Sequence, residues 1–151
     1  MNESLDGLTL ASWAAGVWYK HRRGLKLVGH ESALVYCMEH HREWRSRWDS
    51  LATSNDPELS RDVLHVHYDA LVKMQIDSGK PPEILLGYES LRGRAFAEFE
   101  AIHTLIPALS EGLWTAKAKN EPFDEGRYIE LAQGYVKLAL QRPKVVRRQG
   151  K

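Results

Sequence analysis

The sequence predicts an all-α fold, a single-domain bundle of five to six helices, and three observations predict it. Every long segment repeats its apolar residues with helical period. No alternating strand pattern with a hairpin turn occurs. The 151 residues are 43% hydrophobic and 27% charged, an ordinary balance for a chain that buries one core.

The first helix is expected from about Leu8 to Arg23, with Leu10, Trp13, Ala14, Val17 and His21 on one face and Gly24 stopping it. The second is expected from His30 to about Leu51 as one continuous element. Its stripe is Leu34, Cys37, Met38, His41, Trp44, Trp48 and Leu51. In the turn that follows, Asp56 caps the next helix and Pro57 fits its first position. That third helix carries Val63, His67, Ala70, Leu71 and Met74 on one side and His65, Asp69, Val72 and Ile76 on the other. A helix with so little purely polar surface belongs in an interior position. Gly79 and the Pro81-Pro82 pair end it.

A fourth, short helix carries Ile84, Leu85, Tyr88 and Leu91 and breaks near Gly93. The fifth spans about Arg94 to Lys119, with Phe99, Ile102, Ile106, Leu109 and Leu113 inside. Pro107 removes one of its backbone hydrogen bonds, which predicts a kink or two shorter helices near Ile106. Asp124 caps the sixth, whose inner face is Tyr128, Leu131, Tyr135 and Leu138. The helical domain is placed at 1–143 and a basic tail at 144–151.

The net charge of +1 hides an uneven distribution. From Lys137 onward there are six basic residues and no acid, so the preceding 136 residues carry 15 basic against 20 acidic groups. No apolar run reaches the ~18 residues of a membrane span. Leu8 to Tyr19 is apolar, but acids precede it and bases follow it, the reverse of an export signal. A single cysteine, Cys37, excludes an internal disulfide, and the setting expected is cytoplasmic, without a membrane partner.

Two acid–imidazole pairs stand at one-turn spacing, Asp62 with His65 and Glu100 with His103, and Asp69 follows His65 by one further turn. His65, Asp69, Glu100 and His103 are therefore the candidate metal ligands, with Glu43 and Glu111 as loosely placed further carboxylates. The bland reading of His65 and Asp69 is a buried polar pair, and His41 and His67, on apolar stripes, read as core histidines. Arg42, Arg45 and Arg47 on the Trp-rich second helix, with Arg147 and Arg148 in the tail, are the candidate partner-binding or nucleic-acid residues. No phosphate-cradling glycine loop is present, and Cys37 on an apolar stripe is no activated nucleophile.

Leu64-His65, then Ala70-Leu71 and Gln75, Pro81-Pro82, a long helix with His103 and Trp114, and a closing Tyr128 follow one another in an order that resembles a proteobacterial domain family of unknown function. That family is marked by a central Leu-His-x-x-x-His-x-Ala-Ile-x-x-Gln segment, and the resemblance runs from about Trp18 to Val136. The family's His-Pro-Glu-Tyr-His segment is similar to His41-Arg42-Glu43-Trp44-Arg45. Asp69 and Arg45 stand where the second histidine of each segment falls. Asp retains the capacity to bind a metal and Arg does not. The resemblance implies a helical architecture and a bacterial origin.

Two functions are expected in order. The first is a non-catalytic binding or assembly module without a cofactor, contacting a protein partner or a second copy of itself, with nucleic acid as the lesser candidate. The alternative is a metal-binding bundle or His/carboxylate enzyme at His65, Asp69, Glu100 and His103, holding a divalent ion such as Fe, Mn or Zn.

Overall fold

The computed structural model describes residues 7–53 and 56–142, with side chains for all of these except residues 7–9 and 42. The basic tail, with Arg147 and Arg148, and the side chain of Arg42 therefore lie outside the described residues. Seven α-helices and no strands are found among them: α1 (Gly7–Arg22), α2 (His30–His40), α3 (Arg45–Trp48), α4 (Pro57–Ser78), α5 (Pro82–Gly93), α6 (Glu98–Lys119) and α7 (Glu125–Gln141). None is long and apolar enough to cross a membrane. The count exceeds the expected five to six because the second predicted helix is broken. His41 leaves helical geometry at φ −85° and ψ 67°, a 3-10 turn covers Arg42–Trp44, and α3 resumes.

Two compact units divide the chain between Met74 and Gln75. In the first, α1 pairs with α2, and α2 packs on α3. Gly24, at φ 68°, ends α1 in the left-handed conformation, letting the Leu25 amide reach back to the Lys20 carbonyl at 2.9 Å. Ala14, Val17 and Trp18 are buried. The expected stripe named Trp13 instead, which is 39% exposed whereas Trp18 is 2% exposed. The difference is chemical: the Trp18 indole N–H donates to Asp49 Oδ1 at 2.7 Å, which satisfies the polar edge of a buried ring. From α2 and α3, Leu34, Cys37, Met38 and Trp48 are buried, and Trp48 donates to the Met38 carbonyl at 3.0 Å.

The Asp56 carboxylate accepts from the Glu58 amide at 2.9 Å at the start of α4. This helix is buried on two faces, Val63, Val66, His67 and Ala70 on one and Asp69 and Val72 on the other. That is the interior position its sequence predicts. Leu71 and Met74, expected on the inner stripe, are each 36% exposed.

The second unit packs α5, α6 and α7 against one another. Ile84, Leu91, Phe99, Ile102, Leu105, Leu109, Tyr128 and Val136 are buried. The helix containing Pro107 is neither split nor interrupted; α6 runs from Glu98 to Lys119. Pro107 is exposed, so the one amide bond it forfeits is outweighed by the buried neighbours Leu105, Ala108 and Leu109. Asp124 caps α7 by accepting from the Arg127 amide at 3.1 Å. The inner residues of α7 are Tyr128, Ala132 and Val136; Leu138, assigned to that face from sequence, is 58% exposed.

Tyr128 is fully buried and its hydroxyl donates to Gln75 Oε1, while burial pushes its pKa upward. Tyr128→Phe leaves the Gln75 carbonyl without this donor and is expected to cost about 1–2 kcal/mol in urea unfolding. An unchanged midpoint would show that the bond contributes nothing to the second unit.

Candidate metal centre

The break after α2 builds the site. A continuous helix would carry His41 along the α2 stripe, but its departure from helical dihedrals turns the imidazole onto α4. There His41 Nε2 lies 3.1 Å from Asp69 Oδ2. His65, one turn before Asp69 on α4, brings its own Nε2 to 3.4 Å from the same oxygen. The two imidazoles meet edge to face with centroids 5.2 Å apart. Trp44, from the 3-10 turn, stacks on the His41 ring at 4.4 Å and stands edge-on to His65 at 6.0 Å. Trp48 in turn braces Trp44 at 5.9 Å.

Asp69 is fully buried and His41 nearly so, whereas the His65 side chain is 35% exposed. A carboxylate withdrawn from water costs several kcal/mol unless positive charge and donors surround it. Here imidazoles supply both. Burial alone would hold the His41 pKa down, but the hydrogen bond and charge of Asp69, with Glu43 Oε1 at 3.6 Å from Nδ1, outweigh it and raise that pKa above its ordinary value. The ring nearest the buried carboxylate therefore favours the cationic form.

One ligand atom from each of His41, His65 and Asp69 lies within 4.8 Å of the other two. A tetrahedral ion with bonds of ~2.0–2.1 Å spaces its ligand atoms about 3.3 Å apart. The nitrogen–oxygen separations of 3.1 and 3.4 Å match that edge. The same two distances also describe hydrogen bonds, so the cluster can hold a proton or a metal ion in one geometry. The donor set, two imidazoles and a carboxylate, is of the kind that borderline transition-metal ions take.

Of the ligands expected from sequence, His65 and Asp69 meet as their spacing requires. Asp62, which that spacing also paired with His65, instead holds Arg47 at 2.6 Å, and burial raises its pKa. Glu100 and His103 lie on α6 in the second unit: Glu100 reaches back to the Ala97 amide at 3.1 Å, and His103 stands edge-on to Phe99 at 5.9 Å. Glu111 faces Arg127 at 3.8 Å. Among the arginines, Arg45 pairs with Glu39 at 3.4 Å and Arg47 with Asp62. His41, read from sequence as a core histidine, is the candidate ligand that sequence reasoning missed. Its sequence signal is its place at the start of the His41–Arg45 segment noted above as a resemblance.

His67 lies midway between His65 and Asp69 in the sequence but serves a different cluster. Its ring tilts against Trp13 at 5.2 Å and His30 at 5.6 Å. The Leu10 carbonyl accepts from the ring, through Nδ1, because Nε2 has no hydrogen-bond partner among the described residues. Burial and the neighbouring His30 bring the His67 pKa down to about 4. Burial also lowers that of His30.

The chain belongs to the family described as a domain of unknown function, DUF1841, which matches residues 11–134. That span contains His41, His65 and Asp69. No curated protein and no solved structure matches the chain.

Proposed function

We propose that the protein is a metal-binding helical module in which His41 Nε2, His65 Nε2 and a carboxylate oxygen of Asp69 hold one divalent transition-metal ion. The observation that carries this reading is the pair of nitrogen–oxygen separations converging on one buried oxygen, 3.1 and 3.4 Å. Two neutral imidazoles and one carboxylate suit zinc or iron better than magnesium or calcium, which take oxygen ligands. Zinc leads by intrinsic affinity, ahead of iron and manganese. Such an ion would supply Lewis-acid chemistry at these residues. The chain's own residues fix its position. Asp69 supplies the charge, Trp44 holds the His41 ring plane, and Trp48 holds Trp44. A cytoplasmic setting accords with a single, buried thiol.

Metal analysis of the full chain purified without a histidine tag tests the reading. About one equivalent of zinc, iron or manganese is expected, and His65→Ala, at a part-exposed position, is expected to lose it while keeping its helix content. Absence of metal both as purified and after zinc reconstitution would remove the proposal.

A second reading, an assembly module contacting another protein chain, is favoured by the outward apolar residues of α7. Nucleic acid is the lesser partner, because Arg45 and Arg47 already face carboxylates. Contact with phosphates would show as an affinity falling steeply with salt.

A further inference from the structure

The last helix has a second apolar face that its own unit does not use. Tyr128, Ala132 and Val136 are turned inward and buried. On the outer side Leu131, Gly134, Tyr135 and Leu138, with Arg127 and Glu130, line an open hollow of about 370 Å³. Leu138 is 58% exposed. Leu131, Gly134 and Leu138 recur at steps of three and four, the spacing of a helix–helix seam. A side chain built at Gly134 would meet nothing within 4 Å, so the notch is free to receive a group from outside.

We infer that this face is the contact between two copies of the chain, paired antiparallel through α7 about a two-fold axis that passes between Gly134 and Tyr135. Two features of the surface single out a second copy over an unrelated partner. The first is shape. In this register Leu131 lies opposite Leu138 of the other copy, and the Tyr135 ring lies over the bare backbone of the other Gly134. Symmetry repeats each contact, as a self-complementary interface requires.

The second feature is charge. Glu130 and Lys137 are seven residues apart and so lie on the same flank of the helix. A two-fold axis perpendicular to the helix brings that flank against itself in reverse, which sets each Glu130 within a turn of the other copy's Lys137. A parallel pairing would instead set that flank against the opposite flank of the other copy, so Glu130 and Lys137 would not meet. Arg127, at the edge of the seam, falls level with Arg142 of the other copy in this register, and Glu111 at 3.8 Å offsets its charge. One helix seam of this length falls short of the ~1,200 Å² typical of permanent complexes, so reversible association is expected. The inference is independent of the metal centre, since all of these residues lie on α7.

Sedimentation equilibrium of the full chain up to ~1 mM tests it, in zinc-saturated and chelator-treated samples alike. A monomer–dimer equilibrium is expected in both. Leu138→Asp is expected to leave the chain monomeric with its helix content unchanged. Glu130→Lys and Lys137→Glu are each expected to weaken association about tenfold, and the double variant to restore it, because the reversed pair attracts as the original does. A monomer throughout the range would overturn the inference. So would a dimer indifferent to Leu138→Asp, or a double variant as weak as the single ones.

Discussion

Asparagine in place of Asp69 is expected to lower zinc affinity at least ~100-fold, measured by competition with a chromophoric chelator. The substitution keeps the volume of a fully buried side chain and removes its charge. Two effects then act against the ion. The anionic ligand is lost, and His41 and His65 keep no common acceptor of full charge to hold their nitrogens at tetrahedral spacing. The proton side of the same balance is separately testable. In the unsubstituted protein, Asp69 is the main reason the His41 pKa is raised against the effect of burial. A proton on His41 competes with metal, so zinc affinity is expected to fall as pH drops through that raised value. In the Asp69→Asn chain the His41 pKa drops, and this part of the pH dependence moves to lower pH. An affinity unchanged by the substitution would place any bound zinc elsewhere.

Acid is expected to destabilise the fold through His67 by about 3 kcal/mol. The sign follows from which state takes the proton first. Folded His67 titrates at about 4, whereas an ordinary histidine titrates at 6.5. Below about pH 6.5 the unfolded chain gains a proton that the folded chain refuses, so this contribution is present above that pH and is lost progressively down to about pH 4. His30, also lowered by burial, adds with the same sign. His41 acts oppositely. Its raised pKa stabilises the fold at low pH, and that stabilisation is lost as pH rises through the folded value. His67→Leu removes the titrating ring while filling most of its place beside Trp13. Urea unfolding at about pH 7 and about pH 4.5 is expected to show a much smaller difference for the variant than for the unsubstituted chain. An equal difference in both would remove His67 as the source.

Most of the helical layout was legible in the sequence, because helix signals are local. Gly24, Asp56, Pro57 and Asp124 mark boundaries through the chemistry of one or two residues. The interior placement of α4 was legible as well, since its two apolar faces are both buried. The errors arose where tertiary partners decide. Trp13 and Trp18 both lie in an apolar stretch, and only the distant Asp49 makes Trp18 the buried one. Leu138 fits the inner stripe of α7 by spacing, yet that stripe is filled by Tyr128, Ala132 and Val136.

The candidate centre was half legible for the same reason. His65 and Asp69 are neighbours on one helix, so their spacing alone brings them together. His41 is 28 residues from Asp69 and reaches it only because the chain leaves helical geometry at that residue. The unbroken apolar stripe from Leu34 to Leu51 concealed that break, since Leu34, Met38, Trp48 and Leu51 are all buried even though the helix between them is interrupted. Asp62 shows the converse case: right spacing, but claimed by Arg47.

The most direct measurement is an anomalous-difference map at the zinc absorption edge, from crystals of the full chain grown with one equivalent of zinc. A single strong peak is expected, bonded at ~2.0–2.2 Å to His41 Nε2, His65 Nε2 and the Asp69 carboxylate. A map with no peak at these three atoms, while their hydrogen-bonded spacing persists, would contradict it and leave the cluster as a buried polar contact alone.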